Sequence, residues 1–375
     1  MLTTCVFVLL LWQRGCLLAK FKNNLDFKVN TLCSCQDGLM HSLVAGRPYV
    51  LVFKTTNWCW NKCPHCCESS DPNNPKTFIP ESVIKGYIKQ AASDERFSHS
   101  VVFTGGEITS AYKFVDRHYV PNILNYALNN GCGVDIKTNA GWVNAPLATQ
   151  IYTDIENIVK KHAPKIKDRS GVKQEIPLQV SLSLDRFHKD SLERDFKFIE
   201  HFAKTDMGAS FRIHISSFDA DNKMLPELLQ RLNTAGVNVR DAVILNKNAQ
   251  TVSPVYYLND NIIVQYGNGD LFYGGRAKNI KNAYHVPAPQ FSFLTADFDC
   301  LVAFDTNSRV TLGENCGPKI AVIYNDKDGN PYPLQSILNC LVETTYRAEC
   351  QYRKQHWFLD GQVLLARKIN KLLGR

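Results

Sequence analysis

Two hydrophobic rhythms alternate along the middle of the chain. Tyr49 to Thr55 forms an apolar run that reads as a buried strand. From about Pro80, the residues Val83, Ile84, Tyr87, Ile88 and Ala91 fall on one helical face, and proline suits a first helical turn. The alternation then repeats. Ser100 to Thr104 predicts a strand, and Ile123, Leu124, Ala127 and Leu128 predict a helix. Gly133 to Thr138 predicts the third strand, before a helix striped by Leu147, Ile151, Ile155 and Ile158. Leu178 to Leu184 is followed by Leu192, Phe196, Ile199 and Phe202. Phe211 to Ile215 is followed by Leu225, Leu228, Leu229 and Leu232. Ala242 to Leu245 is read as the sixth strand. Strands alternating with helices predict parallel pairing through right-handed crossovers. The fold class expected is α/β, and function belongs at the C-terminal ends of the strands.

The rhythm changes after about Asn248, where a domain boundary is expected. Ile262 to Gln265 and Leu271 to Tyr273 read as a hairpin around Gly-Asn-Gly, and the stretch from about Gln362 reads as helical and basic. The organisation expected is an N-terminal extension over 1–45, a core domain over 46–248 and a smaller domain over 249–375. Leu2 to Trp12 is apolar but shorter than the roughly 20 residues that span a bilayer. No positive segment precedes it, so it is read as an extension and not an export signal. Met40 is an alternative start, no membrane partner is expected, and the expected location is cytoplasmic.

Composition narrows the class. Of 375 residues, 45% are apolar and 21% charged, which allows a sizeable core and argues against disorder. The net charge of +8 is spread over lysines and arginines that often face acids on helices, so it is read as solvated surface. No basic stripe is interleaved with aromatics, and nucleic acid is not an expected partner. The chain has 13 cysteines, an odd number, and they cluster. Clustered thiols in an enzyme-length chain point to metal more than to a disulfide framework.

The densest cluster follows the first strand: Cys59, Cys63 and Cys66, spaced C-x3-C-x2-C, with Cys67 alongside. Three thiolates on a short loop can hold three corners of an iron–sulfur cubane and leave one iron open. Structural zinc is the alternative, and it would need further ligands such as His65 or Cys67. One unit later, the second strand ends in Gly105-Gly106-Glu107. A glycine pair permits close backbone approach, and Glu107 can take an ammonium group. The fourth strand places Ser181, Ser183 and Asp185 on one face, although Asp185 also suits a helix cap. Lys137 and Asn139 end the third strand and can face the same pocket. His214, on the fifth, is read as a satisfied core histidine.

The cysteine spacing after a first strand, with Gly-Gly-Glu after the second, resembles the radical S-adenosylmethionine (AdoMet) superfamily. The resemblance covers roughly residues 48 to 350. It implies a partial (β/α)6 barrel of TIM-like type and a [4Fe–4S] cluster on Cys59, Cys63 and Cys66. It also implies AdoMet on the open iron, cleaved to a 5′-deoxyadenosyl radical that takes hydrogen from a substrate. Gly105, Gly106 and Glu107 would meet the methionyl amine, Ser183 and Asp185 the ribose and carboxylate, and His65 the adenine. The C-terminal region resembles the small SPASM or twitch extensions, which implies an auxiliary cluster on Cys300, Cys316, Cys340 and Cys350. The match is partial, because the paired Cys-x2-Cys groups of a full SPASM domain do not occur; buried apolar thiols are the other reading. Enzymes with such extensions often modify peptides, so a peptide or protein substrate is expected, with an electron donor such as flavodoxin or ferredoxin. A small molecule, a nucleotide or RNA remains open as substrate, as does a non-catalytic metal-binding protein.

Overall fold

A computed structural model describes residues 49–66, 68–162, 178–188, 190–207, 211–217, 223–242, 255–259, 262–268, 276, 279–280, 300–307, 309–312, 321–326, 328 and 330–339. The chain divides after Gly46, and all of these residues fall in the unit that starts at Arg47. Among them no helix is long and apolar enough to cross a membrane.

The first strand, β1, runs Tyr49–Thr56. It is followed by α1 (Glu81–Ala92), β2 (Phe97–Gly105), α2 (Ala111–Phe114), α3 (Tyr119–Asn129), β3 (Gly133–Lys137) and α4 (Ala148–His162). Next come β4 (Leu178–Ser183), α5 (Ser191–Ala203), β5 (Phe211–Ser217), α6 (Met224–Thr234) and β6 (Val239–Ala242). The remaining strands are β7 (Val255–Leu258), β8 (Ile262–Asn268), β9 (Cys300–Phe304), β10 (Arg309–Leu312) and β11 (Ala321–Ile323).

Among the described residues, all 11 strands join one sheet in the order β11-β10-β9-β1-β2-β3-β4-β5-β8-β7-β6. Every pair from β9 through β1 to β8 is parallel. Antiparallel pairs flank that parallel block at both edges. Parallel strands are covered on both faces, which is why β1 reads as a nearly continuous apolar run.

The helical stripes bury the faces the sequence indicates. Val83, Ile84, Tyr87, Ile88 and Ala91 of α1 are all buried, with Glu81 in its first turn and Lys89 in its last, which suits the helix dipole. Phe304 of β9 packs its ring 5.3 Å from Phe53 of β1 and 4.4 Å from Tyr87 of α1. The Tyr87 hydroxyl lies 2.9 and 3.0 Å from the carbonyls of Tyr324 and Tyr332. The late strands therefore share the core of the early ones.

Two expectations are corrected. Of the strand expected from Ala242 to Leu245, only Ala242 is described; it belongs to β6, which pairs antiparallel with β7 at the sheet edge, and residues 243–245 lie outside the described residues. The sixth strand of the β1–β5 series is β8, paired parallel with β5. Ile262 to Gln265 does form a hairpin, but with the preceding β7; Leu271 to Tyr273 lies outside the described residues. Short runs do not show which strand continues a parallel series, since periodicity does not encode the neighbour. β6 and β7, before and after position 248 in the chain, belong to this one sheet, and Asn248 itself lies outside the described residues.

Candidate metal and cofactor site

The chain leaves β1 at its C-terminal end and enters the cysteine loop directly. Cys59 and Cys63 are buried, Cys66 is half-buried, and none of the three is in a disulfide. The loop closes on itself through Cys66 N–H to the Cys63 carbonyl (3.2 Å) and Ser69 N–H to the Cys66 carbonyl (3.3 Å). Trp58 packs edge-on against Trp60 at 4.6 Å and against Phe114 of α2 at 4.7 Å, so an aromatic cluster walls the loop.

The glycine pair docks that loop. Gly106 N–H donates to the Thr56 carbonyl (2.6 Å), and Glu107 N–H donates to the Trp58 carbonyl (2.9 Å). A Cβ on Gly106 would stand 1.9 Å from the Trp58 carbonyl oxygen, and one on Gly105 2.5 Å from that of Thr56. Gly105 also sits at φ +114, in the region that favours glycine. The close approach these glycines permit is thus used by the end of β1 at Gly105 and by the start of the cysteine loop at Gly106.

Glu107 is fully buried. Its carboxylate accepts from the Thr109 hydroxyl (2.8 Å), the Thr138 hydroxyl (2.9 Å) and the Asn139 N–H (3.0 Å). Burial pushes its pKa up, and these bonds pull it down. The carboxylate ties the end of β2 to the end of β3. Asn139, beyond β3, then donates from Nδ2 to Cys59 Sγ at 3.1 Å. Burial, then the charge of Glu107, pushes the Cys59 thiol up to about 12. A free thiol there stays protonated, so a thiolate at Cys59 needs a bound cation beside it.

A second group gathers beside the loop. Asp185, beyond β4, accepts at Oδ1 from Phe187 N–H (2.9 Å) and His188 N–H (3.1 Å), and pairs with His188 Nδ1 at 3.0 Å. Its Oδ2 is buried and has no hydrogen-bond partner. His65 lies 4.5 Å from His188, edge to face, and 5.0 Å from Phe187. Burial works against a charge on His188, but hydrogen bonds with Asp185 and Cys63 outweigh it and push its pKa up to about 9. Burial, then the charge of His188, pushes His65 down to about 4. Ligating atoms of His65, Asp185 and His188 lie within 4.8 Å of one another, and among the described residues this is the one such trio. The three cysteine sulfurs do not form one.

The structure therefore brings together Cys59, Asn139 and Glu107, and separately His65, Asp185 and Cys63 through His188. Ser183 ends β4, half-buried, while Ser181 Oγ donates to Asp135 (2.7 Å). Lys137 is exposed, with Asp135 3.6 Å away. His214 sits on β5 with Nδ1 3.2 Å from the Ser216 hydroxyl. Cys300 opens β9 opposite Tyr49. Cys316, Cys340, Cys350 and Cys67 lie outside the described residues. Sequence reasoning missed His188 and Thr138. Asp185-x-x-His188 carries a weak local signal, because an aspartate often bonds the backbone two or three residues on.

No family model and no curated protein matches this chain. Among solved structures it is similar to Streptococcus suis SuiB bound to S-adenosylmethionine, at 14% identity and TM-score 0.37. That match covers 70% of this chain and 60% of SuiB. SuiB bound to precursor peptide SuiA matches at 14% identity and TM-score 0.38, over 77% of this chain and 65% of SuiB. The chain spans less than two thirds of that protein's length in both.

Proposed function

We propose that this protein is a radical AdoMet enzyme whose [4Fe–4S] cluster is held by Cys59, Cys63 and Cys66. The observation that carries the reading is the loop itself: three free thiols at the C-terminal end of a parallel strand, docked by Gly105-Gly106. Four-coordinate zinc with bonds of about 2.3 Å to sulfur would draw thiolates to within about 4 Å of one another. The three sulfurs are not gathered within 4.8 Å, whereas a cubane holds its thiolates on separate corners. Trp60 Nε1 and Asn61 Nδ2 are buried donors with no hydrogen-bond partner, and the sulfurs of a cluster would accept from such groups. Asn139 already donates to Cys59.

When bound, the cluster would supply the electron that splits AdoMet into methionine and a 5′-deoxyadenosyl radical. The chain's own residues bind and orient. Asp185, whose pKa is lowered by its His188 bond against the effect of burial, offers Oδ2 to a ligand donor such as a ribose hydroxyl or an ammonium. His65 and Phe187 offer ring surfaces for adenine. Glu107 is saturated by Thr109, Thr138 and Asn139, so its part is to fix the strand ends while neighbouring backbone meets the methionyl amine. Ser183 completes the polar rim. The architecture we infer is a partial (β/α)6 barrel with a twitch-like C-terminal region, acting on a peptide or protein.

A second reading has an observation of its own. The His65, Asp185 and His188 trio is a set that a mononuclear metal could use, in a non-catalytic metal-binding protein. Metal analysis separates the two. After anaerobic reconstitution, the cluster reading expects about four iron and four sulfide per chain, lost when Cys59, Cys63 and Cys66 are changed to alanine. Stoichiometric zinc that survives the cysteine changes but not His188→Ala would favour the second reading.

A further inference from the structure

Arg276 lies in the segment after β8, far from the cysteine loop in sequence, yet its guanidinium and its backbone N–H both meet that loop. Its Nε donates to the Cys63 carbonyl at 2.9 Å, across 213 residues of chain. Its Nη2 donates to the Ser70 carbonyl at 2.6 Å. Its backbone N–H donates to the Cys66 carbonyl at 3.0 Å. Nη1 stands 3.6 Å from the Asp71 carboxylate, with the arginine side chain 19% exposed. One residue thus grips the loop at four places, including the backbone of two of its three cysteines.

The grip matches what the loop lacks. Among the described residues between Cys59 and Asp71 there is no helix or strand, so the loop's backbone carbonyls need partners from elsewhere. A guanidinium presents several donors in a rigid plane and can serve two carbonyls at once. A lysine ammonium could meet Asp71 or one carbonyl, but it has no fork. Holding thiols in ligating geometry is the work of such supporting contacts, and losing one typically weakens metal binding about 10–100-fold.

We propose that Arg276 is a positioning residue for the cysteine loop and sets how firmly the thiols hold their metal. This rests on the reading of the loop as a cluster site. Metal uptake thereby depends on a segment beyond β8, outside the local cysteine motif.

The test uses the full chain with Arg276→Ala and Arg276→Lys. Amide hydrogen exchange on the metal-free proteins reads the loop directly. Iron retention against a chelator after reconstitution reads the site. We expect Arg276→Ala to speed exchange over 59–71 while β1 to β5 keep their protection, and to weaken iron retention at least about tenfold. Arg276→Lys should fall between it and wild type. Wild-type exchange in the loop and wild-type iron retention in both variants would overturn the proposal, as would faster exchange spread evenly over the sheet. If Arg276→Ala does not fold, Arg276→Lys alone decides by the same two readouts. If wild-type protein takes up no iron, the cluster reading fails, and the exchange pattern of the metal-free proteins still decides the role of Arg276.

Discussion

Gly106 shows how one missing Cβ positions a site. Its hydrogen would be replaced by a carbon 1.9 Å from the Trp58 carbonyl, so Gly106→Ala must push the cysteine loop off β2. The expected result is a loss of about 1–3 kcal/mol by urea unfolding, together with reduced iron uptake. The sequence made this glycine visible, but as a ligand cradle; its actual neighbour is a backbone 48 residues earlier, which local pattern cannot reveal. Asp195 is a different case. Both of its carboxylate oxygens are buried with no hydrogen-bond partner. Burial raises its pKa well above the ordinary value, against the pull of Arg194. The folded state therefore holds this proton above the unfolded value of about 3.9. The resulting contribution to stability is complete below that value and declines as pH rises through the raised folded-state pKa. Asp195→Asn should remove this part of the pH dependence, giving a variant that gains on wild type as pH rises in urea titrations. An unchanged pH profile would show that Asp195 does not titrate with folding.

Elements were the most legible scale. The stripe of α1 and the apolar run of β1 carry their periods in plain sequence, since a buried face repeats at the period of its element. Which strands are neighbours was not legible. β9 follows β8 in the chain but lies beside β1, across the parallel block, and nothing local in Cys-Leu-Val-Ala-Phe announces it. Phe304 tests that placement. It is fully buried and contacts rings of β1 and α1, so Phe304→Ala should cost about 3–5 kcal/mol and loosen β1 in hydrogen exchange. If β9 were a separate module, β1 would keep its protection in that variant.

At the scale of the molecule, the sheet explains why the site is where it is. Parallel strands bring their C-terminal ends together, so loops after β1, β2, β3 and β4 supply Cys59, Glu107, Asn139 and Asp185 to one edge. The three-cysteine spacing and Gly-Gly-Glu were readable because each is contiguous. His188 and Arg276 were not, because their roles exist only once distant segments meet. The late strands close over the same core, so the chain that carries the motif and the chain that supports it fold together. The proposed function requires this edge to reduce AdoMet at a cluster. The most direct measurement is 5′-deoxyadenosine released from AdoMet by anaerobically reconstituted protein with a strong reductant and a panel of peptides. Wild type should form it, and the Cys59, Cys63 and Cys66 to alanine triple variant should not. Equal yields from the two, or none from wild-type protein that carries zinc in place of iron, would contradict the account.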